Sequence, residues 1–123
     1  MSSQRKRILV IGAELAEVVA TLIGTLGADA EVVEEYAHPS PKTKTAVFSA
    51  LSHGSYVAVI VAYWPSLDLL LEIRERFPAL KTIFLNSYSE LDATARAKGV
   101  DVVLPVPFQV SDLSAAIQKT LGP

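Results

Sequence analysis

Residues Tyr56 to Pro65 read YVAVIVAYWP, and the succession Val57, Ala58, Val59, Ile60, Val61, Ala62 offers no polar face to water. Such a run is expected to form a strand covered on both sides. Unbroken β-branched runs belong to parallel sheets clothed by helices on both faces, so this strand is placed near the sheet's centre. In open parallel sheets, chemistry lies beyond the carboxyl ends of the strands. Here that end carries Val61, Ala62, Tyr63 and Trp64 in place of a nucleophile, an acid or a base.

On the amino-terminal side, Arg7 to Gly12 (RILVIG) reads as a strand, and Leu15, Val18, Val19, Leu22, Ile23 and Leu26 recur at helical spacing after it. Gly27 fits the position just past that helix, where a left-handed conformation closes it. Ala30 to Tyr36, with charged flanks, reads as an edge strand. Ser40 and Pro41 suit a cap and first turn of a second helix, which is expected to bury Ala46, Val47, Ala50 and Leu51 and to end at Gly54. Lys42 and Lys44 point outward from it.

Beyond the central strand, Pro65 and Ser66 open a helix running to Phe77. Lys81 to Leu85 is a strand, and Ser89 with Asp92 resembles a capping box for a helix ending at Gly99. That helix offers only Ala93, Ala95 and Ala97 as its apolar face, so it is expected to be weakly held. Asp101 to Leu104 is the last strand. Pro105 and Pro107 break it, and Ser111 is the expected cap of a final helix burying Leu113, Ile117 and Leu121. Strands alternating with helices across short connections give a (βα)5 order and a parallel three-layer α/β sandwich with right-handed crossovers.

With 123 residues, half of them hydrophobic, the chain suits one domain spanning 1–123, standing alone or as part of a longer protein. Cysteine is absent, which excludes disulfides and thiolate metal sites. No apolar stretch reaches membrane-spanning length, so a cytoplasmic protein without membrane contact is expected. The net charge of −2 gives no general attraction to phosphate backbones, so no direct nucleic-acid binding is expected. The one basic cluster, Arg5, Lys6 and Arg7, reads as a solvated lead-in to the first strand.

Catalytic patterns fail one by one. Gly12 stands alone where a dinucleotide turn wants three glycines, and no phosphate loop with its lysine follows. His38 and His53 sit in predicted turns without partners at metal-ligand or catalytic spacing. No nucleophile elbow surrounds Ser66 or Ser87. The Tyr63 and Trp64 pair either folds over the sheet's end or presents contact area to a partner.

Three stretches carry a family resemblance. Gly99 to Phe108 (GVDVVLPVPF) resembles the closing G-A-D-D-Y-L-x-K-P-F segment of response regulator receiver domains; KTIFLNSYS at 81–89 resembles their fourth-strand segment; RILVIGAEL at 7–15 resembles their first strand. The resemblance covers essentially the whole chain. It implies the flavodoxin-like doubly wound sheet, five parallel strands in order 2-1-3-4-5.

The departures fall on the residues that perform receiver chemistry. The acidic pair that holds Mg²⁺ becomes Gly12 and Ala13, with Glu14 beside them. Counting back from Pro65, the phosphoacceptor aspartate becomes Val61. The switch hydroxyl becomes Asn86, next to Ser87; the phosphoryl-pairing lysine becomes Val106; the aromatic switch residue becomes Val103. Valine has no oxygen to form an acyl phosphate, and one carboxylate is a poor cage for Mg²⁺.

The resemblance therefore implies a degenerate, non-enzymatic pseudo-receiver without cofactor or metal, acting through a protein partner or a homodimer. Candidate contact residues are Tyr63, Trp64, Leu69, Leu71, Val103 and Phe108, because Leu69, Leu70 and Leu71 in succession exceed one buried stripe and receivers use the fourth-helix to fifth-helix face. Two alternatives stand beside it. One is a nucleotide or metabolite sensor using Gly12, Tyr63, Trp64, Asn86 and Ser87. The other is a regulatory module of a DNA-binding, RNA-binding or second-messenger protein.

Overall fold

Alternation within each strand sends successive side chains to opposite faces of one sheet, and both faces are covered. The computed structural model describes residues 6–34, 41–62, 67–86, 90 and 92–122. Among them, β1 (Arg7–Gly12), β2 (Asp29–Glu34), β3 (Ala58–Val61), β4 (Lys81–Asn86) and β5 (Val102–Pro105) alternate with α1 (Glu14–Thr25), α2 (Pro41–His53), α3 (Leu67–Arg76), α4 (Asp92–Ala97) and α5 (Val110–Leu121). All strand pairs are parallel and the order is β2-β1-β3-β4-β5. The expected flavodoxin-like architecture is therefore the one observed.

The two cores follow from the alternation. Ile8 and Val10 of β1, Ile60 of β3 and Ile83 and Leu85 of β4 pack with Val19 and Ile23 of α1 and Leu113 and Ile117 of α5. On the other face, Leu9, Ile11, Val59, Val61 and Phe84 pack with Val47 and Leu51 of α2, Leu69, Leu70 and Ile73 of α3, and Ala95 of α4. Burying branched and aromatic side chains on both faces is the main stabilising term of such a sheet.

Several local expectations are corrected. In α2 the buried row is Thr43, Val47 and Leu51, at spacing four, and Ala46 lies on the exposed side. In α4 only Ala95 is buried, and Ala93 and Ala97 face solvent. The helix has only six residues, too few turns to present a continuous apolar stripe. Ser111 does not cap α5, because the helix begins at Val110, two residues earlier than that cap requires, with Gln109 in extended conformation and no side-chain cap. The capping box proposed on Ser89 lies outside the described residues. Lys6 and Arg7 are not a free lead-in either. Lys6 Nζ donates to the Leu121 carbonyl, while the Arg7 guanidinium lies 4.7 Å over the Tyr56 ring and pairs with Glu31 at 3.4 Å.

Candidate functional site

The carboxyl edge of the sheet gathers Gly12 at the end of β1, Val61 at the end of β3 and Asn86 at the end of β4. Val106 follows β5, and Ala13 and Glu14 lead into α1. Parallel topology brings these ends together, and the register aligns Ile11 with Val61 and Val61 with Phe84. Backbone closes tightly here: Ala62 N donates to Ile11 O at 2.8 Å. A side chain at Gly12 would bring its Cβ within 3.1 Å of Ala62 Cβ and 3.4 Å of Ala16 Cβ. Glycine at this position allows that approach: a side chain would press on Ala62 by a few tenths of an ångström and meet a φ of +157, which L residues rarely adopt.

Among the described residues the edge is mostly aliphatic. Val61 is fully buried and belongs to the core under α2 and α3. Val106 is half-buried against the opposite core, under α1 and α5. Glu14 is exposed at the first position of α1, where a negative charge meets the positive end of the helix. Among the described residues of this edge, the buried polar one is Asn86, 2% exposed. Its Nδ2 donates to Asp92 Oδ1 at 2.7 Å, and its carbonyl accepts from Val106 N at 3.0 Å. Asn86 thereby ties the end of β4 both to the start of α4 and to the segment after β5. The sequence reading did not pair Asn86 with Asp92, because the contact depends on where α4 begins.

Two of the proposed contact residues move inside. Leu69 is 1% exposed because α3 turns it, together with Leu70, onto Val59 and Val61's side of the sheet. Val103 is 7% exposed, covered by the α4 layer that contains Ala95. Neither offers contact area. Leu71 and Phe108 remain half-buried, each packed at the border of a core. Tyr63, Trp64 and Ser87 lie outside the described residues.

Phe108 contributes to a surface feature that the sequence reading did not single out. Val18, Leu22 and Thr25 of α1, together with Phe108, Val110 and Leu113, enclose an apolar groove of about 350 Å³. Val18 and Val110 are the large hydrophobic side chains left exposed among the described residues, at 56% and 60%. In α1 the buried residues Ala16, Val19 and Ile23 form the row facing the sheet, which leaves Val18 on the outer side.

No protein-family model matches the chain, and no curated protein sequence matches it. Solved structures do. The receiver domain of the Francisella response regulator 1452 superposes with a TM-score of 0.75 at 17% identity, over 95% of this chain and 97% of that one. HP1043, an orphan response regulator of H. pylori, gives 0.76 at 19% identity over 98% and 99%. An atypical orphan response regulator, described as having a phosphorylation-independent regulatory mechanism, gives 0.73 at 20% identity over 94% of each chain. The chain thus has the fold of CheY-like response regulator receiver domains, and its structural neighbours include orphan and atypical regulators.

Proposed function

We propose that this chain is a pseudo-receiver, a signalling domain that works by binding a protein and does not accept a phosphoryl group. The observation that carries the reading is Val61. It ends the central strand where a receiver holds its acceptor aspartate, it has no oxygen, and it is fully buried as part of the core. Three further features support it. A side chain at Gly12 would crowd Ala62 and meet a φ of +157. Val106 packs inward where a receiver extends a lysine. Asn86 is engaged with Asp92 in place of a free switch hydroxyl.

With no acceptor, no lysine and no acidic pair, phosphoryl transfer has neither a nucleophile nor charge stabilisation. A domain in that state signals through surface contact. The groove holding Phe108, Val18 and Val110 offers a small apolar seat for such contact. The atypical regulator among the structural neighbours is described as phosphorylation-independent, in keeping with this reading.

The test is incubation with acetyl phosphate and Mg²⁺, read by intact mass and by sedimentation. The expected result is no phosphoryl adduct and an unchanged association state. An adduct on any aspartate, or assembly driven by the donor, would overturn the proposal.

A further inference from the structure

On the α2 and α3 side of the molecule, away from the apolar groove, the two helices leave an open cleft of about 520 Å³. Phe48 of α2 forms part of its wall and stacks on Phe77 just past α3, with ring centroids 6.3 Å apart and planes 20° from parallel. Above Phe48 lies the guanidinium of Arg76, 4.4 Å from the ring centroid. Glu72 precedes Arg76 by four residues on α3, the spacing at which helical ion pairs form. Arg76 nevertheless lies on the ring. Among the described residues no carboxylate or carbonyl takes its N–H edge. Lys44, across the cleft on α2, likewise has no partner among the described residues.

The arrangement is a fixed cation with unused donors. Stacking on Phe48 restrains a side chain that would otherwise lose much rotamer freedom on binding, and the planar fork of arginine matches a carboxylate bidentately. Lys44 adds a second positive charge, and the hydroxyls of Ser49 and Ser52 line the same cleft. Glu72 opposes an anion and sets a limit on how much negative charge the cleft tolerates.

We propose that this cleft docks an acidic segment of a partner protein, with a carboxylate on Arg76 and Lys44 and an apolar residue against the Phe48 edge. The proposal rests on the protein-binding reading above and adds to the apolar groove a second surface with its own partner chemistry. Charge complementarity selects the occupant. A nucleic acid would meet two free cations, one opposing glutamate and a protein of net charge −2, too little to follow a phosphate backbone. A second copy could offer Glu14 and Glu17 of α1. That contact would join two different surfaces and build a ring or an open chain of copies, which sedimentation of the chain alone would show.

The experiment is fluorescence anisotropy of the full chain with a fluorescein-labelled peptide of repeated Asp-Glu-Phe triplets, beside its Asn-Gln-Phe counterpart and oligothymidylate. The acidic peptide is expected to bind. Arg76→Gln is expected to weaken it about fivefold and Lys44→Gln about twofold, while Glu72→Gln tightens it about twofold. Arg76 and Lys44 are exposed, and Glu72 is only half-buried, so the substitutions leave the fold intact, checked by circular dichroism. Equal binding of the amide peptide, stronger binding of oligothymidylate, no measurable binding, or indifference to Arg76→Gln would each overturn the proposal. Self-association abolished by Arg76→Gln would overturn it in favour of a second copy. None of these readouts involves phosphorylation, so a failed cleft leaves the pseudo-receiver reading standing and an acceptor aspartate leaves the cleft standing.

Discussion

The two ends of the sheet are held by different chemistry. At the amino end, polar side chains tie distant segments together. Thr82 of β4, fully buried, donates its N–H and its hydroxyl to Asp101 Oδ2 at 2.9 and 3.0 Å and accepts from Asp101 N at 3.1 Å. Arg74 Nε donates to the Gly99 carbonyl at 2.6 Å, and Gly99 adopts φ +91 with no space for a side chain beneath the guanidinium. The Tyr56 hydroxyl donates to Glu31 and accepts from Arg7 at 3.2 Å. At the carboxyl end, Gly12, Ala62 and Val61 close by apolar contact, and Asn86 to Asp92 is the side-chain hydrogen bond described there. In this fold the carboxyl end is where chemistry usually sits. Among the described residues that end is built largely as core, and most of the side-chain fasteners described lie at the other.

The largest break in that comparison comes from restoring the acceptor. Val61→Asp puts a carboxylate into a fully buried aliphatic site, and Val106 supplies no cation to meet it. A loss of about 3–5 kcal/mol is expected, read by chemical denaturation at neutral pH. A variant as stable as the native chain would mean that the carboxyl end is wetter than the packing indicates.

Next in size is the amino-end fastening. Thr82→Val keeps shape but removes the hydroxyl that both gives to and accepts from Asp101. The expected cost is about 1–2 kcal/mol, because Asp101 is exposed and water replaces part of what it loses. The same denaturation curves read it, and an unchanged midpoint would remove the fastening role.

Tyr56 sharpens the comparison through pH. Its ionisation is pushed up by partial burial first, then by the hydrogen bond to Glu31 and that residue's charge, against a smaller opposing pull from Arg7. A raised value in the folded state means the neutral hydroxyl's contribution is complete below the unfolded value near 10 and is lost as pH rises through the folded one. Tyr56→Phe is expected to cost no more than about 1 kcal/mol at neutral pH. It should also flatten the fall in stability above about pH 10, measured by denaturant midpoints across pH. An equally steep fall in the variant would assign that loss to other groups.

The fold was legible where the chain repeats itself. β3 is apolar without interruption, β4 carries Ile83, Phe84 and Leu85 between polar ends, and no helix period competes with them. What escaped the sequence was phase and distance. Ala46 and Thr43 differ by a fraction of a helical turn, and a threonine that can be satisfied locally entered the core where alanine was expected. Leu69 and Leu70 both went inside because α3 crosses over the sheet's aliphatic centre and is covered along more than one stripe. Arg7 looked solvated because its partners Glu31 and Tyr56 stand 24 and 49 residues away. At the carboxyl edge, the substitutions at Gly12, Val61 and Val106 were readable directly. The bond from Asn86 to Asp92 was not, since it depends on where α4 begins.

The smallest expected effect bears on the carboxyl end alone. A site that bound Mg²⁺ with a dissociation constant a hundredfold below the added concentration would gain about 2.7 kcal/mol. In a domain of this size that is a melting-temperature rise of several degrees. The cage would have to be built from Glu14, which is exposed on α1, beside Gly12, Ala13 and the buried Val61. Mg²⁺ favours near-octahedral oxygen ligands, and a single surface carboxylate leaves the ion its water shell and little reason to prefer the folded chain. Millimolar Mg²⁺ is therefore expected to shift the melting temperature by no more than about 1 °C, measured by calorimetry against an equal ionic strength of NaCl. A rise of several degrees would show that the edge still gathers oxygen ligands, and the contrast between its aliphatic packing and the polar fastening at the amino end would no longer hold.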